Sequence, residues 1–211
     1  MGKKVVRGLM LAGCLALAGL GAAGAAGPLT LKEAENRMAG GGYLETLAGA
    51  YWAASQGPAV IPLLAQMLDK KGQYEQESAG AVGAFPFNAL WALARIPDSR
   101  AVKVLENYRA ATGDQVAALA IKGYRLRQFQ QSARYGVMVN ESALLERPES
   151  KAPVLKRLKP GQEVKLLREK VANPREQGPR GRAATYDRVE LLPGGEQGFV
   201  PRSGDDFSPF I

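Results

Sequence analysis

Residues 88–110 read NALWALARIPDSRAVKVLENYRA, and their reading decides the fold. Leu90, Leu93 and Ala94 recur at helical spacing, while Ala89 and Ala92 are small enough to let another helix approach closely. Pro97 lacks the N–H that a helical ladder needs, so the helix must stop before it. Asp98 then offers a carboxylate to the free N–H groups of a new helix, along which Val102, Leu105 and Tyr108 recur. Gly113 suits a left-handed stop, and Asp114 caps a further helix carrying Val116, Leu119, Ile121 and Leu126.

Upstream, the pattern repeats with a period of about 42 residues, within the range of paired-helix repeats. Ala50 then aligns with Ala92, Ala59 with Ala101, Val60 with Val102 and Leu63 with Leu105. The break Ser55-Gln56-Gly57-Pro58 lands on residues 97–100. The segments AVIPLLAQML and NALWALARIPDSRAVKVL resemble the HEAT-like repeats of bacterial proteins, and the resemblance spans roughly 43–128. Pro62 fits it, near the start of a second helix where a missing N–H costs little. The rival reading is a generic small helical bundle.

The first residues have the character of an export signal. Lys3, Lys4 and Arg7 precede an apolar run over 9–20 and a small-residue stretch over 21–27. Ala23-Gly24-Ala25 fits an A-x-A cleavage site, so the processed chain is expected to start near Ala26. Leu11-Ala12-Gly13-Cys14 resembles a bacterial lipobox, which makes Cys14 a lipidation candidate and membrane anchoring conditional on it. Leu15-Ala16-Leu17 stays apolar where lipoproteins turn polar, so ordinary secretion is the first expectation. Cys14 is the sole cysteine, so no intramolecular disulfide is expected. The net charge of +8 falls by three with the leader, too modest to argue for nucleic acid.

Along the remaining chain, Thr30-Leu31-Lys32-Glu33 is a capping box, and Ala39-Gly40-Gly41-Gly42 ends its short helix. A helix is expected over 43–55, with Leu44, Leu47, Tyr51 and Trp52 as core, and another over 59–71. Residues 72–86, with Tyr74, Glu75 and Glu77, read as a long surface insertion. After Gln131 the apolar pattern turns to alternation. Short strands are expected around Val137–Val139, Leu144–Leu145, Val154–Leu158, Val164–Leu167, Tyr186–Leu191 and Gly198–Val200. Residues 170–184, rich in Pro, Gly and charge, read as an irregular loop.

This second run resembles a bacterial SH3 domain, an envelope module with a small five-stranded barrel. The resemblance rests on Leu144-Leu145-Glu146-Arg147-Pro148, Val154-Leu155, Leu158-Lys159-Pro160-Gly161-Gln162-Glu163-Val164, residues 186–189 and Gly198-Phe199-Val200. Phe199 stands where the family has Trp, and the first loop, 146–153, is short and lacks an aromatic. The resemblance implies binding of wall peptides or protein partners. A barrel this small must fill its interior, so Tyr186 and Phe199 are read first as core.

The chain has no histidine, which removes the commonest general base and zinc ligand. Glu33 with Glu35, or Glu75 with Glu77, are the carboxylate pairs available for glycoside hydrolysis, but neither sits in a supporting motif. No catalytic residue, metal site or cofactor is expected. Candidate ligand contacts are Arg175, Arg180 and Arg182 in the 170–184 stretch, with Arg147, Tyr186 and Phe199 nearby in the pattern.

The expected fold is α+β and multidomain, a short HEAT-like α-helical repeat array followed by a small SH3-like β-barrel. Its boundaries are a signal peptide over 1–25, helical repeats over 28–131, an SH3-like domain over 135–206 and a tail over 207–211. Only residues 130–134 separate the last helix from the first strand, so the two parts are expected to pack together. The functional reading is a non-catalytic binding or scaffolding protein of the bacterial cell envelope, periplasmic or exported. Its partner would be an envelope protein or a peptidoglycan peptide. An accessory subunit docking through the helical array is the alternative, and a wall-cutting enzyme the third reading.

Overall fold

A computed structural model describes residues 30–39, 43–70, 84–178, 181–202 and 210–211. The export signal with Cys14, the Gly40–Gly42 stop, Tyr74, Glu75, Glu77 and Arg180 lie outside the described residues, as does the side chain of Leu44.

Side-chain caps start three of the helices. Thr30 Oγ1 accepts the Glu33 N–H at 3.2 Å and opens α1 (Leu31–Met38). Next come α2 (Tyr43–Ser55), a 3-10 turn (Gly57–Val60) and α3 (Ile61–Asp69), with Pro62 in the first turn of α3. After α4 (Ala84–Arg95), Asp98 accepts the Arg100 N–H at 2.8 Å to begin α5 (Ser99–Thr112). Gly113 ends α5 in the left-handed region at φ 69°. Asp114 then takes the N–H groups of Val116 and Ala117 at 2.7 and 3.1 Å to begin α6 (Gln115–Gln130). The expected insertion ends sooner than the sequence pattern placed it. Pro86 belongs to the first turn of α4, where its missing N–H has no helical partner to lose.

The helices share one core, in which Leu64, Leu90, Leu93, Ile96 and Leu105 are fully enclosed. Burial repeats between the two halves, one residue out of step with the sequence period. Val60 and Ala101 are both buried, as are Leu64 and Leu105, and Met67 and Tyr108, whereas Ala59 is exposed. Tyr51 is not core. It is 41% exposed and meets Trp91 in a T-shaped contact, with centroids 4.7 Å apart.

Among the described residues six antiparallel strands form one curled sheet, so the fold is α+β. The strands are β1 (Tyr135–Val137), β2 (Ser142–Leu145), β3 (Val154–Leu158), β4 (Glu163–Gln177), β5 (Ala183–Leu192) and β6 (Gln197–Pro201), in the order β1-β4-β5-β6-β2-β3. Alternate side chains, Leu144, Val164, Leu166, Val189, Leu191 and Val200 among them, turn inward onto Met138, Leu158 and Phe210. Residues 170–178 and 181–184 do not form the irregular loop expected of them. Val171 pairs with Tyr186, Ala172 with Thr185, Asn173 with Ala184 and Gln177 with Ala183, as a long hairpin of β4 and β5. The hairpin tolerates its proline because β1 covers β4 only over 163–165, and the missing N–H of Pro174 can lie on an uncovered edge. Register shifts and Lys170 at φ 51° absorb the irregular sequence.

The two halves are packed together. Phe210 and Ile211 pair with the strand that opens the sheet. Val137 and Ile211 exchange N–H···O bonds of 2.8 and 2.9 Å, and the Ile211 side chain is buried in the helical core. Lys122 on α6 donates to the Gly161 carbonyl at 2.7 Å and meets Glu163 at 3.0 Å. Gly123 allows this closeness, because a Cβ there would sit 2.5 Å from the Ile211 carbonyl oxygen. Gly123→Ala must therefore push α6 off the sheet, although alanine favours a helix. We expect a loss of about 1–3 kcal/mol in urea denaturation, and unchanged stability would show that the contact is not tight.

Candidate functional site

The sheet end bearing the expected ligand contacts is built by one acid, Glu176 on β4. Its Oε2 accepts the Tyr186 hydroxyl at 2.6 Å, the Ser150 N–H at 3.1 Å and the Asn173 amide at 3.4 Å. Asn173 Oδ1 in turn accepts the Arg175 N–H at 3.1 Å. Ser150 lies in the turn between β2 and β3, which is closed by a 3.0 Å bond from the Glu146 N–H to the Pro153 carbonyl. Glu176 thus fastens the β4–β5 hairpin onto that turn. Ser150 first, then Tyr186 and Asn173, hold its carboxyl below the usual range. Burial, reinforced by Glu176, pushes the Tyr186 phenol up, so it stays a hydroxyl donor.

A small apolar cluster lies beneath. Tyr186, Leu145 and Ala152 are buried together, with Phe199, Ala143 and Ala184 packed on them. Tyr186 is 2% exposed, and Phe199 is half-buried opposite Leu145. Both rings are placed as a floor. Arg147 on the turn and Arg175 and Arg182 on the hairpin are exposed around it. The spacing of basic residues pointed to this end of the sheet. It did not reveal Glu176 as the clamp, because its partners Ser150 and Tyr186 are distant in sequence. The signal was an isolated acid set among arginines.

The root of the hairpin is fixed by a buried ion pair. Arg202 Nε donates to Asp187 Oδ1 at 2.8 Å, with both side chains enclosed, and the Lys170 N–H reaches the same oxygen at 3.0 Å. Burial pushes the Asp187 carboxyl up, while Arg202 and the Lys170 N–H act against it. Elsewhere, Glu33 is occupied by Arg37 at 3.1 Å. Among the described residues no group of three His, Cys, Asp or Glu side chains could hold a metal ion. None of their helices is long and apolar enough to cross a membrane.

The depressed Glu176 carboxyl sets a pH window. Its stabilising effect is complete above the unfolded carboxylate pKa and fades as pH falls through the lower folded value. The protection factor of the Ser150 amide should therefore fall in acid. Glu176→Gln should lower it about three- to tenfold at neutral pH, the scale of one partly exposed charged hydrogen bond, with little change in Tm. Equal protection in variant and parent would remove Glu176 as the clamp. In comparisons with known proteins, no family model, curated protein or solved structure matches this chain.

Proposed function

We propose that this chain is a non-catalytic binding or scaffolding protein of the bacterial cell envelope, in which a HEAT-like helical array carries an SH3-like barrel. It takes an anionic stretch of a peptidoglycan peptide or envelope protein at the hairpin end of the sheet. The observation that carries the reading is the Glu176 clamp. It holds the hairpin with exposed Arg175 and Arg182 against the turn that bears Arg147, on a rigid floor. Exposed guanidinium groups each contribute little, but several on one braced face attract an extended anion and set its register. The envelope address rests on the leader-like residues 1–25.

The test is retention on purified peptidoglycan and in envelope extract by the parent chain and by a variant with Arg175, Arg180 and Arg182 all changed to Ser. The variant should keep its Tm and lose most binding at low salt, with the difference shrinking as the Debye length falls from about 10 Å at 0.1 M to 3 Å at 1 M. Parent-like binding at low salt would end this reading. The accessory-subunit reading would then gain, since a cleft of about 400 Å³ lies between α3 and α5, lined by Leu68, Val104 and Tyr108. Phe129, 84% exposed on α6, is a further contact for that reading.

A further inference from the structure

Among the described residues the sheet does not close, and its strand order ends at β3, which pairs there with β2 alone. A strand so placed spends half of its backbone groups on its neighbour and aims the N–H and C=O groups of the alternate residues outward. The opposite margin shows what such an edge can take. Beside β1, Ile211 exchanges two backbone hydrogen bonds with Val137, so a short piece of extended chain is already added there.

The surface of β3 is basic with an apolar start. Residues 151–159 read KAPVLKRLK, with Lys151, Lys156, Arg157 and Lys159 all exposed and no acid among them. Glu196, 3.8 Å from Lys156, offsets one of these charges. Val154 and Leu155 are 48% and 43% exposed, and Leu158 is the one buried residue of the strand. Lys156 faces Leu144 and Val154 faces Leu145, so a bulge passes over Leu155 and releases it from the alternation. Val154 thereby adjoins Leu145, which is fixed in the buried cluster with Tyr186 and Ala152. The edge therefore stands on a rigid base.

We propose that β3 is a docking edge for an acidic, extended segment of a partner protein, which adds to the sheet as a further strand. The backbone ladder supplies affinity, and the side chains of the added strand supply choice. Its acids meet Arg157 and the flanking lysines, and its apolar residues cover Val154 and Leu155. The same charges oppose a second copy of β3, which would bring like charge to like, so the edge discriminates between an acidic chain and its own kind. This docking edge is separate from the basic hairpin and does not depend on the reading given to it.

The test follows the backbone ¹H–¹⁵N resonances of residues 155–158 in the full chain as acetyl-Glu-Val-Glu-Val-Glu-Val-amide is added. These resonances should shift, and their amides should exchange more slowly. The same peptide with lysine for glutamate should bind at least about tenfold more weakly at 0.05 M salt, with the ratio narrowing toward 1 M. Two further peptides carry N-methyl groups on alternate residues in opposite phase. A ladder must leave at least one of them about tenfold weaker or worse, whereas simple charge attraction would spare both. Arg157→Glu combined with Lys159→Glu, both exposed, should keep Tm and weaken the acidic peptide at least about tenfold. The variant with Arg175, Arg180 and Arg182 changed to Ser should still show the β3 shifts. Unmoved β3 resonances, parent-like binding by both methylated peptides, unchanged affinity in the charge-reversed variant, or loss of the β3 shifts in the hairpin variant would each overturn the proposal.

Discussion

The structure turns on the Arg127 guanidinium. It is 6% exposed and reaches in two directions, with Nη2 to the Ala94 carbonyl at 2.7 Å and Nη1 to the Tyr135 carbonyl at 2.9 Å. The first oxygen closes the C-terminal end of α4, where helical carbonyls have no partner of their own. The second belongs to the first residue of β1. One side chain thus fixes the last long helix, the helix before the Pro97 break and the opening strand in a single geometry. Burial lowers its pKa to about 10, so it remains a cation at neutral pH and its bonds are the stronger charge-assisted kind. The strand it positions pairs with β4 over 163–165, and β4 runs on from there into the hairpin.

Local chemistry made much of this legible in advance. Thr30, Asp98 and Asp114 cap helices because a short oxygen-bearing side chain before an apolar helical pattern has few better partners than the free N–H groups. The six strands begin where alternation begins. The hairpin was hidden because its Pro, Gly and charged residues violate the strand pattern, yet an edge that faces no neighbour imposes no such pattern. Tyr51 was misplaced because helical spacing gives a face without saying how far the neighbouring helix covers it. The clamp at Glu176 depends on partners brought together in three dimensions, which spacing cannot encode.

Guanidinium groups serve this fold under opposite conditions. On the hairpin Arg175 and Arg182 stand in water, where a single pair contributes little and number matters. Between the helices and the sheet Arg127 is buried on two carbonyl oxygens, where each charge-assisted bond is worth more.

The pairing of Ile211 with Val137 also governs how the sheet ends. A curled sheet that does not close has two outer strands, each offering N–H and C=O groups to any passing chain. At β1 that offer is taken up by Phe210 and Ile211, so the strand lies between two partners and has no outward ladder over that stretch. At β3, the outer strand among the described residues, Lys156 lies 3.8 Å from Glu196 and Arg157 is exposed beside it, so basic groups must lose water and approach one another if a second copy adds there. The two margins are thus guarded differently, one by occupation and the other by repulsion. Salt weakens only the second guard, so self-association at high ionic strength would begin at β3.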